Sequence, residues 1–411
     1  MFLVNELYLE NYRGTLMRKC SNWLETLGEY VEDTESPRQF WLWSGIFVIG
    51  AALQRRVWFP FGMDTIFPNQ FILTVAPPGW HRKGAPVSFA KRILEDIQLP
   101  VGIDSPTKRH LTKRLAALSE TEHFFYKQFK RVQAPLALVS KELSSFLAVD
   151  PKNMIEAVTD LYDSHDKWDY GTSDKGEDFI RNVCICCYFA TTPDWIAENL
   201  PQAAIGGGFT SRFVIISGKE AYKDVAWPKL PDQIIYKKLK VDLETISHLV
   251  GEFSWQEDAF QFYNEWYLKI KEWAKDVGDD RLYNNFSRVH VQAIKTAMCL
   301  HVARDDSLIL DLEDIETAAT LLREVYDTAS EAFASHGRNP MAISADKIVK
   351  QCRLFGETSA GHLLKLNYRD VSKKTLFEIL ENLEYQKLIS IEYNEQTKTT
   401  FIKWIRGRKG K

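Results

Sequence analysis

The chain has 411 residues, 45% of them hydrophobic and 26% charged, with a net charge of −3, which describes a folded protein too long for one small core and leads us to expect a multidomain chain. The apolar run from Leu42 to Leu53 is broken by Ser44 and Gly50 and stopped by Arg55 and Arg56, far short of the roughly 20 residues a membrane span needs. Glu6 and Glu10 interrupt the N-terminus where a signal peptide would be apolar, so a soluble, cytoplasmic protein is expected.

Two further bulk features bear on partners and compartment. Of the six cysteines, Cys184 and Cys187 have CxxC spacing, but they lie in an apolar strand-like run with no second pair, and they read as buried free thiols in a reducing compartment. From Met341 to Lys411 the chain carries 14 Lys/Arg against 8 Asp/Glu, a net +6 that leaves −9 on the remainder. A basic module on an acidic body points to a polyanionic partner such as a nucleic acid, with a tail that serves solubility as the alternative.

In chain order, residues 1–58 read as a helical segment, with Gln39 to Leu53 apolar nearly all round, as a buried helix is. From 59 to 218 short apolar runs alternate with helical ones. The runs Phe71 to Val75, Leu136 to Val139, Val183 to Ala190 and Phe213 to Ile216 are predicted strands, and Ala85 to Ile97 and Met154 to Tyr162 predicted helices. That alternation specifies an α/β core with a mostly parallel sheet, in which ligands bind at the carboxyl ends of the strands. Residues 219–340 give a proline-marked connector and a helical bundle, with helices over Trp255 to Trp273, Ser287 to Val302 and Leu312 to Phe333, the last capped by Asp311. Residues 341–411 read as three helices and a β-hairpin, the order of a winged helix-turn-helix.

The chemistry concentrates at four places. After the strand Phe71 to Val75 comes Ala-Pro-Pro-Gly79-Trp-His-Arg82-Lys83-Gly84 and then a helix. Gly79 permits close backbone approach, the helix start offers free N–H groups, and Arg82 and Lys83 supply charge, which together make a phosphate cradle; a plain Pro-Gly turn has the same spelling. Glu142 ends the apolar run Pro135 to Lys141 and suits a carboxylate that orients a water or a magnesium ion, or else a solvated helix start. Thr191 ends a third strand, where a hydroxyl either senses a terminal phosphate or caps the next helix. Arg212 follows Gly206-Gly-Gly-Phe-Thr-Ser and opens the fourth strand, expected at the same sheet edge; it reads as an arginine finger acting on a neighbouring subunit or as a salt-bridged turn residue. Arg288, after Ser287, reads as a salt-bridged residue at a helix start, with a second phosphate sensor as the alternative. The acidic run Asp163 to Asp169 lacks metal spacing and is expected to be a solvated loop. In the tail, Lys373 and Lys374 open the third helix and Lys398 lies in the hairpin, positions for DNA contact, followed by a basic end at Arg406, Arg408, Lys409 and Lys411.

These blocks in this order, VAPPG with Lys83-Gly84, the strand ending in Glu142, Leu161 to Trp168, Thr191-Thr-Pro-Asp-Trp195 and GGGFTSRF around Arg212, resemble the P-loop ATPases of phages and mobile elements, helicase-like and often primase-associated, over about residues 35–335. The resemblance implies a RecA-like or AAA+-like core, ATP and magnesium, assembly into a homo-oligomeric ring such as a hexamer, replication proteins as further partners, and work on replicating DNA. The sequence departs from the family spelling at Gly84, which stands where a metal-ligating Ser or Thr is usual. The expectation is therefore a DNA-dependent ATPase, a helicase or replication initiator, with a non-hydrolysing DNA-binding adaptor as the alternative.

Overall fold

The computed structural model describes residues 18–405, apart from 80, 173–175, 206, 219–222, 334–339, 369 and 396–397. The basic end at Arg406, Arg408, Lys409 and Lys411 lies outside the described residues, as does Gly206. The chain divides into two compact units, Met1–Ala334 and Ser335–Lys411.

The first unit is a mixed α/β body. Its helices are α1 (Trp23–Tyr30), α2 (Arg38–Leu53), α3 (Gly84–Asp96), α4 (Lys108–Thr121), α5 (Pro151–Leu161), α6 (Pro193–Asn199), α7 (Gln233–Ile246), α8 (Glu257–Val277), α9 (Val289–Arg304) and α10 (Leu312–Thr328). The strands of its central sheet are β3 (Phe71–Val75), β6 (Ala134–Ser140), β9 (Val183–Thr191) and β10 (Val214–Ser217). They run parallel in the order β10-β3-β9-β6, and Val101 bridges Ala137 on the outer side of β6. The strands β3, β6 and β9 are buried at every position, as a sheet covered on both faces requires. One cover is α2, whose Gly50 lies so close to the loop before β3 that a Cβ there would stand 2.5 Å from the Pro68 carbonyl oxygen. On the other face Phe71 meets Tyr162 and Phe213 at ring-centroid distances of 4.9 and 5.2 Å.

The predicted strands and helices of this region recur within a few residues of their expected bounds. Three antiparallel pairs were not anticipated: β1 (Val57–Phe61) with β2 (Asp64–Ile66), and two hairpins that flank β6 in sequence, β4 (His123–Tyr126) with β5 (Phe129–Val132), and β7 (Lys167–Thr172) with β8 (Gly176–Arg181); nor were the two-residue strands β11 (Gly251–Glu252), which pairs parallel with β1, and β12 (Ser254–Trp255), which pairs parallel with β13 (Ile309–Leu310). Asp311 caps α10 as expected and is reinforced by Asp314 in a reciprocal capping box. A single hydrophobic core runs from Trp23 to Phe333, so the expected boundaries near 58 and 218 mark changes of pattern inside one packed body. No helix among the described residues is long and apolar enough to cross a membrane. All six cysteines are buried and unpaired, and burial pushes the Cys184 and Cys299 thiols up to about 11 and about 12, which leaves them unreactive.

The second unit contains α11 (Pro340–Phe355), β14 (Glu357–Ser359), α12 (Ala360–Asn367), α13 (Lys373–Tyr385), β15 (Ile389–Asn394) and β16 (Thr399–Trp404). Its three strands form an antiparallel sheet in the order β14-β16-β15 over a small core that includes Ile348, Leu363, Leu376, Leu380 and Ile402. The short strand β14 was not anticipated.

Candidate functional site

The loop between β3 and α3 leaves the carboxyl edge of the sheet with Gly79 at φ +95°, a conformation that glycine adopts without strain. Arg82 follows at φ +46°, where a side chain costs about 1 kcal/mol or more. The segment before α2 holds it there. Ser36 donates its hydroxyl to the Arg82 carbonyl at 2.9 Å, and Arg82 Nε donates to Glu35 Oε2 at 2.6 Å. The Arg82 guanidinium keeps the Glu35 carboxyl below the usual carboxylate range. Arg82, expected on a phosphate, is thus bonded to Glu35 and exposed, and its clearest role is to brace the loop.

Lys83 is nearly buried and its Nζ stands 3.7 Å from Glu142 Oε1. The pairing comes from topology: Lys83 follows β3, Glu142 follows β6, and both strands end at the same edge. The Ser140 hydroxyl bonds the Glu142 carbonyl at 3.0 Å and steadies the turn after β6. A Cβ at Gly84 would lie 3.8 Å from Lys141 Cδ, so Lys141 adds a second cation against the start of α3. Between β3 and β6 lies β9, whose last residue, Thr191, is 1% exposed with its hydroxyl unpartnered. The cap of α6 is made by Thr192, which accepts from Trp195 N at 3.2 Å, leaving Thr191 without that duty. His81 was missed in the sequence; it is 6% exposed and neither ring nitrogen has a partner. Orphaned buried polar groups are costly, and these lie in the loop and at the strand end where an oxygen-rich ligand would satisfy them. Ser88, the first hydroxyl residue after Lys83, donates to the Gly84 carbonyl at 2.7 Å.

Arg212 differs from expectation. It precedes β10, and β10 runs parallel to β3 with Val214 opposite Ile72, so Arg212 lies at the amino edge of the sheet while Lys83 lies at the carboxyl edge. The reason is strand direction: a residue before a parallel strand and a residue after its neighbour cannot share an edge. At the amino edge Arg212 is 9% exposed, donates to the Gly208 carbonyl at 2.5 Å and stands 3.6 Å from Asp163 Oδ2. Arg288 approaches the same carboxylate at 3.9 Å, and Lys295 lies 3.9 Å from the Tyr162 ring centroid, which Arg212 and Arg288 also approach, at 5.9 and 5.8 Å. Burial, with the neighbouring Arg288 charge, lowers the Arg212 guanidinium's affinity for its proton. The run Asp163 to Asp169 carries exposed carboxylates, as a solvated loop does, and it is tied down by polar contacts. Asp160 accepts from His165 and Trp168, Asp166 pairs with Arg55, and Asp169 with Arg181.

In the second unit Lys373 and Lys374 open α13 and are exposed, with Lys374 only 4.0 Å from Glu378, and Lys398 is exposed at φ +50° in the turn between β15 and β16.

No family model matches the sequence, and no curated protein matches it. Among solved structures the chain is similar to a full-length MCM homolog from Methanopyrus kandleri, with a TM-score of 0.41 and 14% identity over 74% of this chain and 59% of that one.

Proposed function

We propose that the chain is a DNA-dependent ATPase that assembles into a ring, such as a hexamer, and serves as a helicase or replication initiator of a phage or mobile element. One observation carries this reading: a nearly buried lysine at a strand–loop–helix turn stands 3.7 Å from the carboxylate that ends a parallel strand two places away, with an unpartnered threonine hydroxyl on the strand between. In that arrangement Lys83 and the N–H groups that open α3 hold the β- and γ-phosphates, Lys141 adds charge, and Glu142 orients the attacking water. Thr191 and His81 satisfy their orphaned groups on the terminal phosphate or its water. Glu142 is the carboxylate that would hold a largely water-clad magnesium ion, which would supply charge to neutralise the phosphates. Arg212 stabilises the transferring group in a neighbouring copy, since its own loop is at the other sheet edge. The second unit reads as a winged helix that meets duplex DNA through Lys373, Lys374 and Lys398.

The test is ATP turnover with and without single- and double-stranded DNA, with mass followed by light scattering. DNA-stimulated turnover by a ring that Lys83→Ala abolishes supports the assignment; undiminished hydrolysis in that variant overturns it. A second reading, a DNA-binding adaptor that holds nucleotide without cleaving it, is favoured by Gly84 in place of a hydroxyl residue and by Ser88 facing its own helix backbone. It predicts DNA binding without turnover.

A further inference from the structure

The segment that leads from β10 into α7 displays large apolar side chains in water. Trp227 is 88% exposed, Leu230 95%, and Ile234, in the first turn of α7, 71%, a patch with no packing duty in its own chain. The segment is nonetheless held. Lys223 and Lys229 each reach the Asp33 carboxylate, at 3.0 and 3.1 Å, and Val225 N donates to Glu35 Oε1 at 3.3 Å. Two anchors on one carboxylate bow the chain outward between them, and Trp227 stands on the bow. The run Trp227-Pro228-Lys229-Leu230-Pro231 is a basic Pro-x-x-Pro segment, in which proline favours an extended chain and leaves carbonyls free.

Glu32 and Thr34, on either side of the Asp33 anchor, line a pocket of about 420 Å³ formed by α1, α2 and the turn that joins them. Its walls include Leu24, Leu27, Val31, Trp41 and Leu42. Trp41 is 7% exposed and its indole N–H has no partner, a buried donor that a carbonyl would satisfy. Along α1 and the turn after it, Glu25, Glu29 and Glu32 recur at i, i+4 and i+7, all exposed, and no cation among the described residues pairs with them. The helix α7 packs against α1, with Trp23 Nε1 donating to the Leu239 carbonyl at 2.8 Å. One turn beyond Ile234 it exposes Lys237 and Lys238, which no carboxylate among the described residues pairs. An acidic strip and a basic strip thus lie side by side, each next to an apolar feature.

We propose that this pocket receives the Trp227–Pro231 arm of a second copy of the chain, and that the second copy's pocket receives the first arm in return. Aromatic-lined grooves take Pro-x-x-Pro segments in their extended form. Here Trp227 and Leu230 fill the apolar walls, and a carbonyl beside a proline accepts from the Trp41 N–H. The arm does not enter its own pocket, because the two lysines that flank Trp227 hold it at the pocket's edge with the ring in water. Opposite charges set side by side on adjacent helices meet their complements when a copy is turned about a two-fold axis, so that Glu25, Glu29 and Glu32 of each chain face Lys237 and Lys238 of the other. This pairing is additional to the ring of the proposed function, and it needs neither nucleotide nor DNA.

The test is the mass of the full chain by light scattering. The wild type should have the mass of an even number of chains, and Trp227→Asp with Leu230→Asp should bring it to half or less. Two charge-reversed chains, one with Glu29→Lys and Glu32→Lys and the other with Lys237→Glu and Lys238→Glu, should each lose the pairing alone and recover it when mixed, because every strip then finds its opposite. The contact itself is read by mixing Gly28→Cys with Leu230→Cys under mild oxidation, which should give a disulfide between chains on non-reducing electrophoresis beyond what either gives alone. A Cβ at Gly28 meets nothing within 4 Å, and the native thiols are buried. A wild type of one chain, a mass unchanged by the arm substitutions, or no recovery on mixing would each overturn the proposal. So would a disulfide that stays within one chain when both cysteines are placed together, since the arm would then close its own pocket. Lys83→Ala leaves all these readouts in place while it removes turnover, so the pairing and the proposed function fail separately.

Discussion

Lys295 is buried at 4% exposure, its ammonium donating to Asn69 Oδ1 at 2.7 Å with the Tyr162 ring beneath it. Burial pulls its pKa down to about 8, against about 10.4 for a lysine in water. Below pH 8 folded and unfolded chains both hold the proton. Between about 8 and 10.4 the folded chain has released a proton that the unfolded chain keeps, so this group makes stability rise with pH across that window. The buried thiols act in the opposite sense, because Cys184 and Cys299 keep their protons to about 11 and about 12 when folded, and the effect is therefore read as a difference from Lys295→Met. Denaturation of both proteins across this range should show the wild type gaining on the order of 2–3 kcal/mol relative to the variant; parallel curves would refute the shift. At this scale the sequence announced Lys83 and Glu142, because each ends a recognisable strand or loop. It hid His81, since having no partner for either ring nitrogen is a property of the packed loop and not of its spelling.

Elements differ in how openly their residues declare them. The strands β3, β6 and β9 are unbroken apolar runs, and α10 begins with a cap that can be read directly. Its box of Asp311 and Asp314 also receives Arg304, 2.7 Å from Asp311 Oδ2. Asp311→Ala should destabilise the body by about 1–2 kcal/mol in chemical denaturation, and an unchanged midpoint would show the box to be redundant. The hairpins escaped notice because His123 to Val132 and Lys167 to Arg181 mix charges and aromatics at short range, with no clean alternation and no Asn-Gly turn. Strand direction was legible but easily passed over: an arginine that precedes a parallel strand lies at its amino edge wherever the sheet is placed.

Across the whole molecule that edge separates Lys83 from Arg212 within one chain. If Arg212 serves a neighbour, Arg212→Ala should lower turnover about 10³-fold with assembly intact. Mixing it with Lys83→Ala should restore measurable activity, because some interfaces then join an intact loop to an intact arginine. No recovery in mixed assemblies of normal mass would exclude action between copies. The single core from Trp23 to Phe333 holds both edges of the sheet in one packed body. The Lys83–Glu142 pair carries a consequence of its own. One ammonium cannot serve two anions fully, so in the proposed ATPase a phosphate that took Lys83 would release the carboxylate that leans on it, and arrival of the nucleotide and arming of the water-orienting group would become the same event.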